Sequence, residues 1–311
     1  MTQPQPQRPL SLLESFLCGG LAGCGAVTIS KHTPPPPRPP LTATANIPET
    51  MKTRLQLQGE LQRADPSAPK VYRSVFDVFR KTWQHEGIRG LQRGLVPAYG
   101  YQTLLNGSRL GLYEPCRRLF NRAIGKDPNE GVFITAITAG AFTGCIGASL
   151  GSPLFLIKAR MQAYSPHIPV GAQHYYKNSY DALRTILKSD GFFGLWRGVS
   201  TAILRTAMGS SVQLPSYNLS KYYLVSSAGM PADSFWTFLA ASSVSGVCVC
   251  IAMQPPDTAL TRMYNQNTIK DPITGKVRGA LYTNPFDCLW KTFKAEGIAG
   301  WYKGDSFFFF F

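Results

Sequence analysis

The chain alternates between long stretches without charged residues and shorter stretches in which charged residues are frequent. Residues 132–157 and 234–256 contain no Asp, Glu, Lys or Arg, and 15–30 and 206–220 are shorter runs of the same kind. As a helix, the first of these runs is long enough to cross the apolar core of a bilayer, which is about 30 Å thick. We therefore predict long apolar helices over 11–30, 95–122, 131–163, 199–227 and 233–267.

Shorter segments with mixed polar and apolar residues lie between the long helices. Each begins with a phrase of fixed spacing, in which Tyr is followed by Ser or Asn and then by Asp. We predict short amphipathic helices near 74–84, 178–189 and 284–294. Within the long stretches, small residues such as Gly140, Gly144 and Gly147 recur. This spacing lets helix backbones approach closely inside a membrane.

An acidic residue before glycine, followed by a basic residue before glycine, occurs three times along the chain. Successive copies are 104 and 106 residues apart, counted from Glu86 to Asp190 and from Asp190 to Glu296. Self-similarity at a fixed period marks one supersecondary unit that is repeated along the chain. The copies are Glu86-Gly87 with Arg93-Gly94, Asp190-Gly191 with Arg197-Gly198, and Glu296-Gly297 with Lys303-Gly304.

The charge balance is strongly basic, with 32 Lys and Arg against 17 Asp and Glu and a formal net charge of +15. A nucleic-acid-binding or membrane-surface protein is one explanation. However, the basic residues are spread over the segments between helices, and no RNA-binding, zinc-finger or helix-turn-helix signature occurs. A membrane protein that handles anions explains the same charge. The mean hydropathy of −0.08 does not separate it from a soluble protein with buried core helices.

The sequence carries little that points to catalysis or metal binding. There is no His-Glu-x-x-His and no P-loop, and the seven cysteines have no metal-ligand spacing. A match to Gly-x-Ser-x-Gly at 147–151 lies inside the uncharged stretch 132–157. We therefore expect no enzyme activity, no catalytic residue, no metal and no cofactor. The first residues, 1–10, lack the features of a signal or transit peptide, so any targeting signal is expected to be internal.

Each repeat also contains a proline segment that ends on an arginine, at residues 48–54, 153–160 and 255–262. Together with the glycine phrases, these segments resemble the repeat motif of the mitochondrial carriers, Pro-x-Asp/Glu-x-x-Lys/Arg-x-Lys/Arg. The resemblance implies an all-α, multi-pass protein of the mitochondrial inner membrane, in which three two-helix repeats form a pseudo-threefold bundle around a cavity. We expect a tail at 1–10, repeats at 11–122 and 131–227, and a truncated third repeat at 233–311.

Two segments depart from the pattern of this family. Residues 31–47 form a Pro-rich insertion, which cannot be helical as polyproline. We interpret it as a segment of non-native origin, such as a retained intron or a mistaken gene model, with a genuine loop as the alternative. The chain ends on Phe307–Phe311 where the first two repeats continue into another apolar helix, so we expect the sixth transmembrane helix to be missing. A truncated or mis-spliced carrier product without transport activity is therefore an open alternative.

Substrate-binding residues are predicted from charges within the apolar helices. Arg109 and Arg205 lie in otherwise uncharged stretches, and an intramembrane arginine normally faces a cavity and marks a ligand path. Its planar guanidinium can bind a carboxylate with two hydrogen bonds. The offset of 104 residues makes Tyr101 equivalent to Arg205 and Arg109 equivalent to Gln213, and the resemblance adds Thr206. The alternative for either arginine is a structural role in helix packing.

The resemblance also implies a matrix gate, a set of residues that closes the matrix end of the cavity by pairing acids and bases of different repeats. The expected pairs are Glu49 with Lys158, Asp257 with Lys52, and Phe155 with Leu260. In the last pair both charges are missing. Losing one partner of a buried pair costs about 3–5 kcal/mol, whereas replacing both by apolar groups is often neutral. We therefore interpret the third pair as a repacked contact, with solvated surface charges as the alternative for the whole set.

A cytosolic gate is expected at the opposite end of the cavity, formed by an aromatic residue, an acid and a base on each even-numbered helix. Tyr113, Glu114 and Arg117 fit this pattern in the first repeat. Tyr217 and Lys221 fit it in the second, where an asparagine replaces the acid. The third set would lie on the missing helix, so this gate is expected to be incomplete.

Residues 107–111, 213–218 and 261–266 resemble the fungal oxaloacetate carriers within this family. The resemblance implies alternating-access transport of small dicarboxylates or keto acids such as oxaloacetate, with malonate and sulfate as further substrates. Antiport, proton symport and a different carboxylate carrier subfamily all stay open.

The expected partners are a small anionic substrate and membrane lipid, with no nucleic acid and no second subunit. Cardiolipin is a candidate ligand of the glycine phrases at Gly87/Gly94, Gly191/Gly198 and Gly297/Gly304.

Overall fold

The computed structural model describes residues 46–60, 71–128, 133–227, 229–231, 233–270 and 277–304. The predicted helix over 11–30, most of the Pro-rich insertion and the ending Phe307–Phe311 lie outside the described residues. The missing sixth helix therefore stays a prediction.

The described residues are mainly helical, and the helices follow the order of the three repeats. Repeat 1 contributes α1 (Asn46–Leu57), α2 (Val75–Leu91) and α3 (Leu95–Ala123). Repeat 2 contributes α4 (Phe133–Ala163), α5 (Ser179–Asp190), a 3-10 turn (Phe193–Trp196) and α6 (Val199–Ser226). Repeat 3 contributes α7 (Phe235–Asn265), strands β1 (Thr268–Lys270) and β2 (Val277–Gly279), α8 (Pro285–Glu296) and α9 (Ile298–Trp301).

The predicted helices are confirmed wherever they fall within the described residues. The long ones appear as α3, α4, α6 and α7, and the short ones as α2, α5 and α8. The structure also differs from the predictions. Helix α1 was not among the predicted helices, and its first two residues lie within 31–47, the range predicted as an insertion, because the helix that carries the first proline segment begins at Asn46. Helix α2 continues to Leu91 with a break at Gly87, where φ is 62° and ψ is −162°. An antiparallel hairpin, with Thr268 opposite Gly279, follows α7 and was not predicted.

Each short helix begins at the phrase of fixed spacing because that phrase is an N-terminal cap. The side chain of Asn178 accepts a hydrogen bond from the backbone N–H of Asp181 at 2.8 Å, and Asp181 accepts in return from the N–H of Lys177 at 3.1 Å. This reciprocal arrangement satisfies backbone donors that the first helical turn leaves free. The same caps form at Ser74 with Asp77 and at Asn284 with Asp287.

The second glycine of each repeated phrase lies where the next repeat leaves no room for a side chain. Gly198 has φ 90°, and a Cβ built there would lie 3.3 Å from the ring of Tyr264 in repeat 3. Gly304 has φ 92° and would meet Lys52 of repeat 1 at the same distance. Glycine tolerates both the left-handed backbone and the close approach, so the phrase marks contacts between repeats.

The long helices pack closely through their small residues. A Cβ on Gly147 of α4 would lie 2.9 Å from the main-chain oxygen of Leu105 of α3, and one on Gly151 would lie 2.7 Å from the ring of Tyr101. Among the described helices, Ile134–Ala163 and Phe235–Asn265 are long and apolar enough to cross a membrane by length and composition. Leu239, Val247 and other apolar side chains of α7 are exposed, as on a helix that faces lipid.

Candidate functional site

The acidic residue of each repeated phrase forms a buried ion pair with an arginine of the same repeat. Arg54 pairs with Glu86 at 2.7 Å, and Arg262 pairs with Glu296 at 2.7 Å. In repeat 2 the guanidinium of Arg160 lies 3.7 Å from the carboxylate of Asp190. The three acids were aligned from the sequence, but their partners were not predicted. The available signal was that the arginines that end the proline segments recur at nearly the same spacing as the acids.

The same three arginines join the repeats into a closed cycle. Each donates a hydrogen bond from Nε to a main-chain oxygen of the next repeat. These bonds run from Arg54 to Gln162 at 3.3 Å, from Arg160 to Tyr264 at 3.3 Å, and from Arg262 to Gln56 at 3.2 Å. Because the last bond returns to repeat 1, the described parts of the three repeats form a ring.

The basic residue of each phrase reinforces this ring. It lies near the acid of its own phrase and also donates to a main-chain oxygen of the next repeat. The donations run from Arg93 to Tyr164 at 3.1 Å, from Arg197 to Gln266 at 3.2 Å, and from Lys303 to Gln58 at 3.0 Å. The three glycine phrases and the arginines that pair with them therefore form one ring of contacts between repeats, which we call the framework.

The ionisation of the framework follows from these contacts. Burial raises the pKa of Glu86, but the hydrogen bonds and charge of Arg54 outweigh it, so the net pKa lies below the ordinary value. The balance for Glu296 beside Arg262 has the same sign. His174 donates a hydrogen bond from Nε2–H to the main-chain oxygen of Asn265 at 3.0 Å. Its pKa is lowered to about 4, first by burial and then by the charge of Arg160.

Both charged pairs expected in the matrix gate are present. Lys52 Nζ lies 2.6 Å from Asp257 Oδ2, which joins repeats 1 and 3. Lys158 Nζ lies 2.5 Å from Glu49 Oε2, which joins repeats 1 and 2. The Asp257 pair is well buried, whereas 47% of the Glu49 side chain is exposed. The two pairs therefore differ in how strongly water competes for them.

Aromatic packing takes the place of the third charged pair. Phe155 packs against the buried cluster that contains Leu260. Its ring centroid also lies 4.9 Å from that of Tyr101 and 5.3 Å from that of Tyr264. Tyr264 donates to or accepts from Ser152 at 2.7 Å, so its hydroxyl is satisfied within the apolar cluster. Because Phe155 and Leu260 are both apolar, neither leaves a buried charge without a partner.

Arg205 forms an ion pair with Asp257, a residue predicted for the matrix gate. Its Nε donates to Oδ1 of Asp257, while Nζ of Lys52 donates to Oδ2. From the sequence, Arg205 was expected in the substrate site and Asp257 in the gate, with no contact predicted between them. The structure instead brings them together at a small cavity of about 140 Å³. The charged residues that line it are Glu49, Lys52, Lys158, Arg205 and Asp257.

The other predicted substrate residues lie on α3 and α6, outside the contact between Arg205 and Asp257. Thr206 donates its hydroxyl to the main-chain oxygen of Ala202 at 2.9 Å, and the ring of Tyr101 is buried against Phe155. Arg109 and Gln213 are exposed in the described conformation. Their contact with a substrate stays a prediction.

The residues predicted for the cytosolic gate make contacts of a different kind. Glu114 pairs with Arg117 at 2.7 Å within α3, and Lys221 of α6 lies 4.4 Å from the ring centre of Phe238. Tyr113 and Tyr217 are partly exposed. The role of this set as a gate stays a prediction.

Comparisons with known proteins agree with this architecture. A family model described as "Mitochondrial carrier protein" matches residues 41–123, 129–228 and 231–308. The chain is 47% identical over 290 residues to the mitochondrial citrate transporter E of Aspergillus niger, covering 93% of this chain and 84% of that protein.

Two relatives are named mitochondrial oxaloacetate transport protein. The one from Schizosaccharomyces pombe is 45% identical over 301 residues, covering 97% of this chain and 86% of the relative. The one from Saccharomyces cerevisiae is 43% identical over 299 residues, covering 95% and 83%.

Proposed function

Because the chain belongs to the mitochondrial carrier family, we propose that it transports small dicarboxylates or keto acids of the oxaloacetate type across the mitochondrial inner membrane. The family consists of transporters rather than enzymes, and the names of the relatives support carboxylate transport. The observation that carries the proposal is the position of Arg205. It is a permanent cation within an otherwise uncharged part of α6, beside a cavity lined by gate charges.

The substrate site is divided between two levels of the cavity. Arg205 binds one carboxylate through its guanidinium fork, with Thr206 beside it on α6. Arg109 and Gln213 hold the other end of the substrate, and Tyr101 forms part of the wall. The exposure of Arg109 and Gln213 supports this assignment, since both side chains are accessible to a solute.

The two gates account for alternating access. With the Lys52–Asp257 and Lys158–Glu49 pairs formed, the matrix end is held closed. The cytosolic gate is assigned to Tyr113, Glu114, Arg117, Tyr217 and Lys221. The described conformation is assigned as closed at the matrix end. Transport requires the matrix pairs to break and the cytosolic set to close.

Lipid contacts are assigned to the framework of glycine phrases. Gly94 and Gly198 precede the N-termini of α3 and α6, where free backbone N–H groups favour anions. The phosphates of cardiolipin fit this chemistry at the phrases Gly87/Gly94, Gly191/Gly198 and Gly297/Gly304. The protein is proposed to act as a monomer.

Uptake into proteoliposomes tests the proposed function. The purified full chain is reconstituted, and uptake of labelled oxaloacetate, malonate, sulfate and citrate is measured with and without internal substrate. We expect uptake of dicarboxylates that a neutral diamide of the same size does not inhibit. Uptake only with internal substrate indicates antiport, and stimulation by an inward proton gradient indicates symport. Absence of uptake for all four anions contradicts the proposal and supports the inactive-product alternative.

Citrate is the second candidate substrate because a relative at 47% identity is named a citrate transporter. A tricarboxylate carries one more negative charge than oxaloacetate, and Lys52, Lys158 and Arg205 all line the cavity. Citrate uptake faster than oxaloacetate uptake in the same vesicles would favour this assignment.

A further inference from the structure

Asp257 contacts two cations to which the proposed function gives different tasks. Its Oδ2 lies 2.6 Å from Nζ of Lys52, and its Oδ1 accepts from Nε of Arg205. Lys52 belongs to the matrix gate, and Arg205 is the proposed substrate arginine. A single carboxylate therefore holds the gate and the binding site together.

The charges around the cavity explain why this carboxylate is shared. Glu49 and Asp257 supply two negative charges, and Lys52, Lys158 and Arg205 supply three positive ones. The two lysines already match the two acids, so Arg205 is the additional cation. The third gate pair is apolar and offers Arg205 no acid of its own. The residues that line the cavity therefore carry an excess of one positive charge. The guanidinium of Arg205, the group best suited to bind a carboxylate, is already paired with Asp257.

Resting on the proposed transport function, we infer that Asp257 is an internal competitor of the substrate for Arg205, and that the substrate displaces it and so breaks the ion pair that joins repeats 2 and 3 beside the matrix gate. A substrate carboxylate takes over the hydrogen bond from Nε of Arg205, and Oδ1 of Asp257 is released. Arg205 stays paired with a carboxylate throughout, so no buried charge is stranded by the exchange. Asp257 is left with Lys52 alone.

This exchange gives the substrate a differential affinity for the two conformations. A ligand shifts a conformational equilibrium only by as much as it binds one state better than the other. Here the substrate gains its contact with Arg205 only where Asp257 has withdrawn, so binding favours conformations in which the Arg205–Asp257 link between repeats 2 and 3 is broken. A neutral solute cannot replace the aspartate. The same contact therefore keeps the empty carrier closed and selects for anions.

Two variants separate competition from simple weakening of the gate. Asp257→Asn and Lys52→Gln both remove the ion pair at 2.6 Å, but only Asp257→Asn removes the competing carboxylate. Malonate binding to the purified full chain is measured by calorimetry for the unchanged protein and both variants. We expect Asp257→Asn to lower the Kd of malonate about tenfold, equivalent to about 1.4 kcal/mol. Lys52→Gln does not lower it, because Asp257 keeps Arg205 as its remaining partner.

The outcomes distinguish this inference from the proposed function. If the unchanged protein binds malonate and Asp257→Asn binds it no more tightly than Lys52→Gln, competition by Asp257 is refuted and the transport assignment stands. If the unchanged protein and both variants bind neither malonate nor oxaloacetate, the proposed function and the inference fall together. Should Asp257→Asn show no cooperative melting, Asp257→Ser is measured in its place, since serine also carries no charge.

Discussion

Arg262 donates hydrogen bonds from both Nε and Nη2 to the main-chain oxygen of Gln56, 206 residues away along the chain. Because Gln56 belongs to repeat 1 and Arg262 to repeat 3, this contact closes the cycle of repeats. The guanidinium also pairs with Glu296 at 2.7 Å and is fully buried. One side chain thus links a helix end, a repeated phrase and a neighbouring repeat.

Replacing Arg262 is expected to destabilise the whole bundle. Arg262→Ala leaves Glu296 buried without its main partner, a change that costs about 3–5 kcal/mol. The melting temperature of the purified protein should fall sharply. Arg278→Ala is the matched control, because Arg278 is exposed on β2, and its effect should be small. Equal melting temperatures for the two variants would show that the cycle does not support the fold.

The apolar third pair of the matrix gate predicts coupling between two substitutions. Phe155→Asp and Leu260→Lys each introduce one buried charge, so each alone should destabilise the protein. Together they recreate an acid and a base in the positions of a gate pair, and we expect a favourable coupling free energy of about 0.5–3 kcal/mol. Phe155→Asp combined with Leu239→Lys, at an exposed position of α7, is the control. Additive effects in both double variants would refute the pairing of these positions.

Gly198 and Gly246 offer a matched pair of glycine substitutions. Alanine at Gly198 must adopt φ near 90° and approach Tyr264 at 3.3 Å, whereas a Cβ at Gly246 meets nothing within 4 Å. We expect Gly198→Ala to lower the melting temperature. Gly246→Ala should preserve or raise it, because alanine favours a helix interior over glycine by about 1 kcal/mol. A larger loss at Gly246 than at Gly198 would contradict the assigned contact between repeats.

The buried His174 predicts a loss of stability in mildly acidic solution. Its pKa in the folded protein is about 4, against an ordinary value of 6.5. Folding therefore favours its neutral form. Its contribution to the free energy of unfolding is fully present above pH 6.5 and is lost as the pH falls toward 4. Glu86 and Glu296 have lowered pKa values, so their contributions decline only below the ordinary value of 4.5.

Melting temperatures measured at about pH 7.5 and about pH 5.5 check this linkage. The decrease between the two should be smaller in His174→Gln than in the unchanged protein. His167→Gln, at an exposed position of the same loop, should keep the full decrease. A decrease of the same size in His174→Gln would assign the pH dependence to other groups.

The three repeated phrases and the short helices could be predicted from the sequence because each occurs three times at nearly constant spacing. The phrase around Asp181 marks a helix cap. The partners of Glu49 and Asp257 were expected only from the resemblance to the carrier family, and the structure shows these contacts. The bonds from Arg54 and Arg160 could not be predicted in this way, because their acceptors are main-chain oxygens, which every residue carries.

The contact between Arg205 and Asp257 lies beyond the sequence for a different reason. The two residues are 52 positions apart on different helices and belong to different parts of the motif. Their meeting depends on the side-chain conformation of a long arginine at a cavity. The hairpin at β1 and β2 was missed because strands of three residues carry too short a pattern to separate them from a loop.

The most direct test of the account is dicarboxylate uptake into proteoliposomes by the unchanged chain, Arg205→Ala and Arg205→Lys. We predict uptake by the unchanged chain and no uptake by Arg205→Ala. Arg205→Lys should give reduced uptake, because lysine keeps the charge but lacks the planar fork. Undiminished uptake by Arg205→Ala, in protein with normal melting behaviour, would contradict the assignment of Arg205 as the residue that binds the substrate carboxylate.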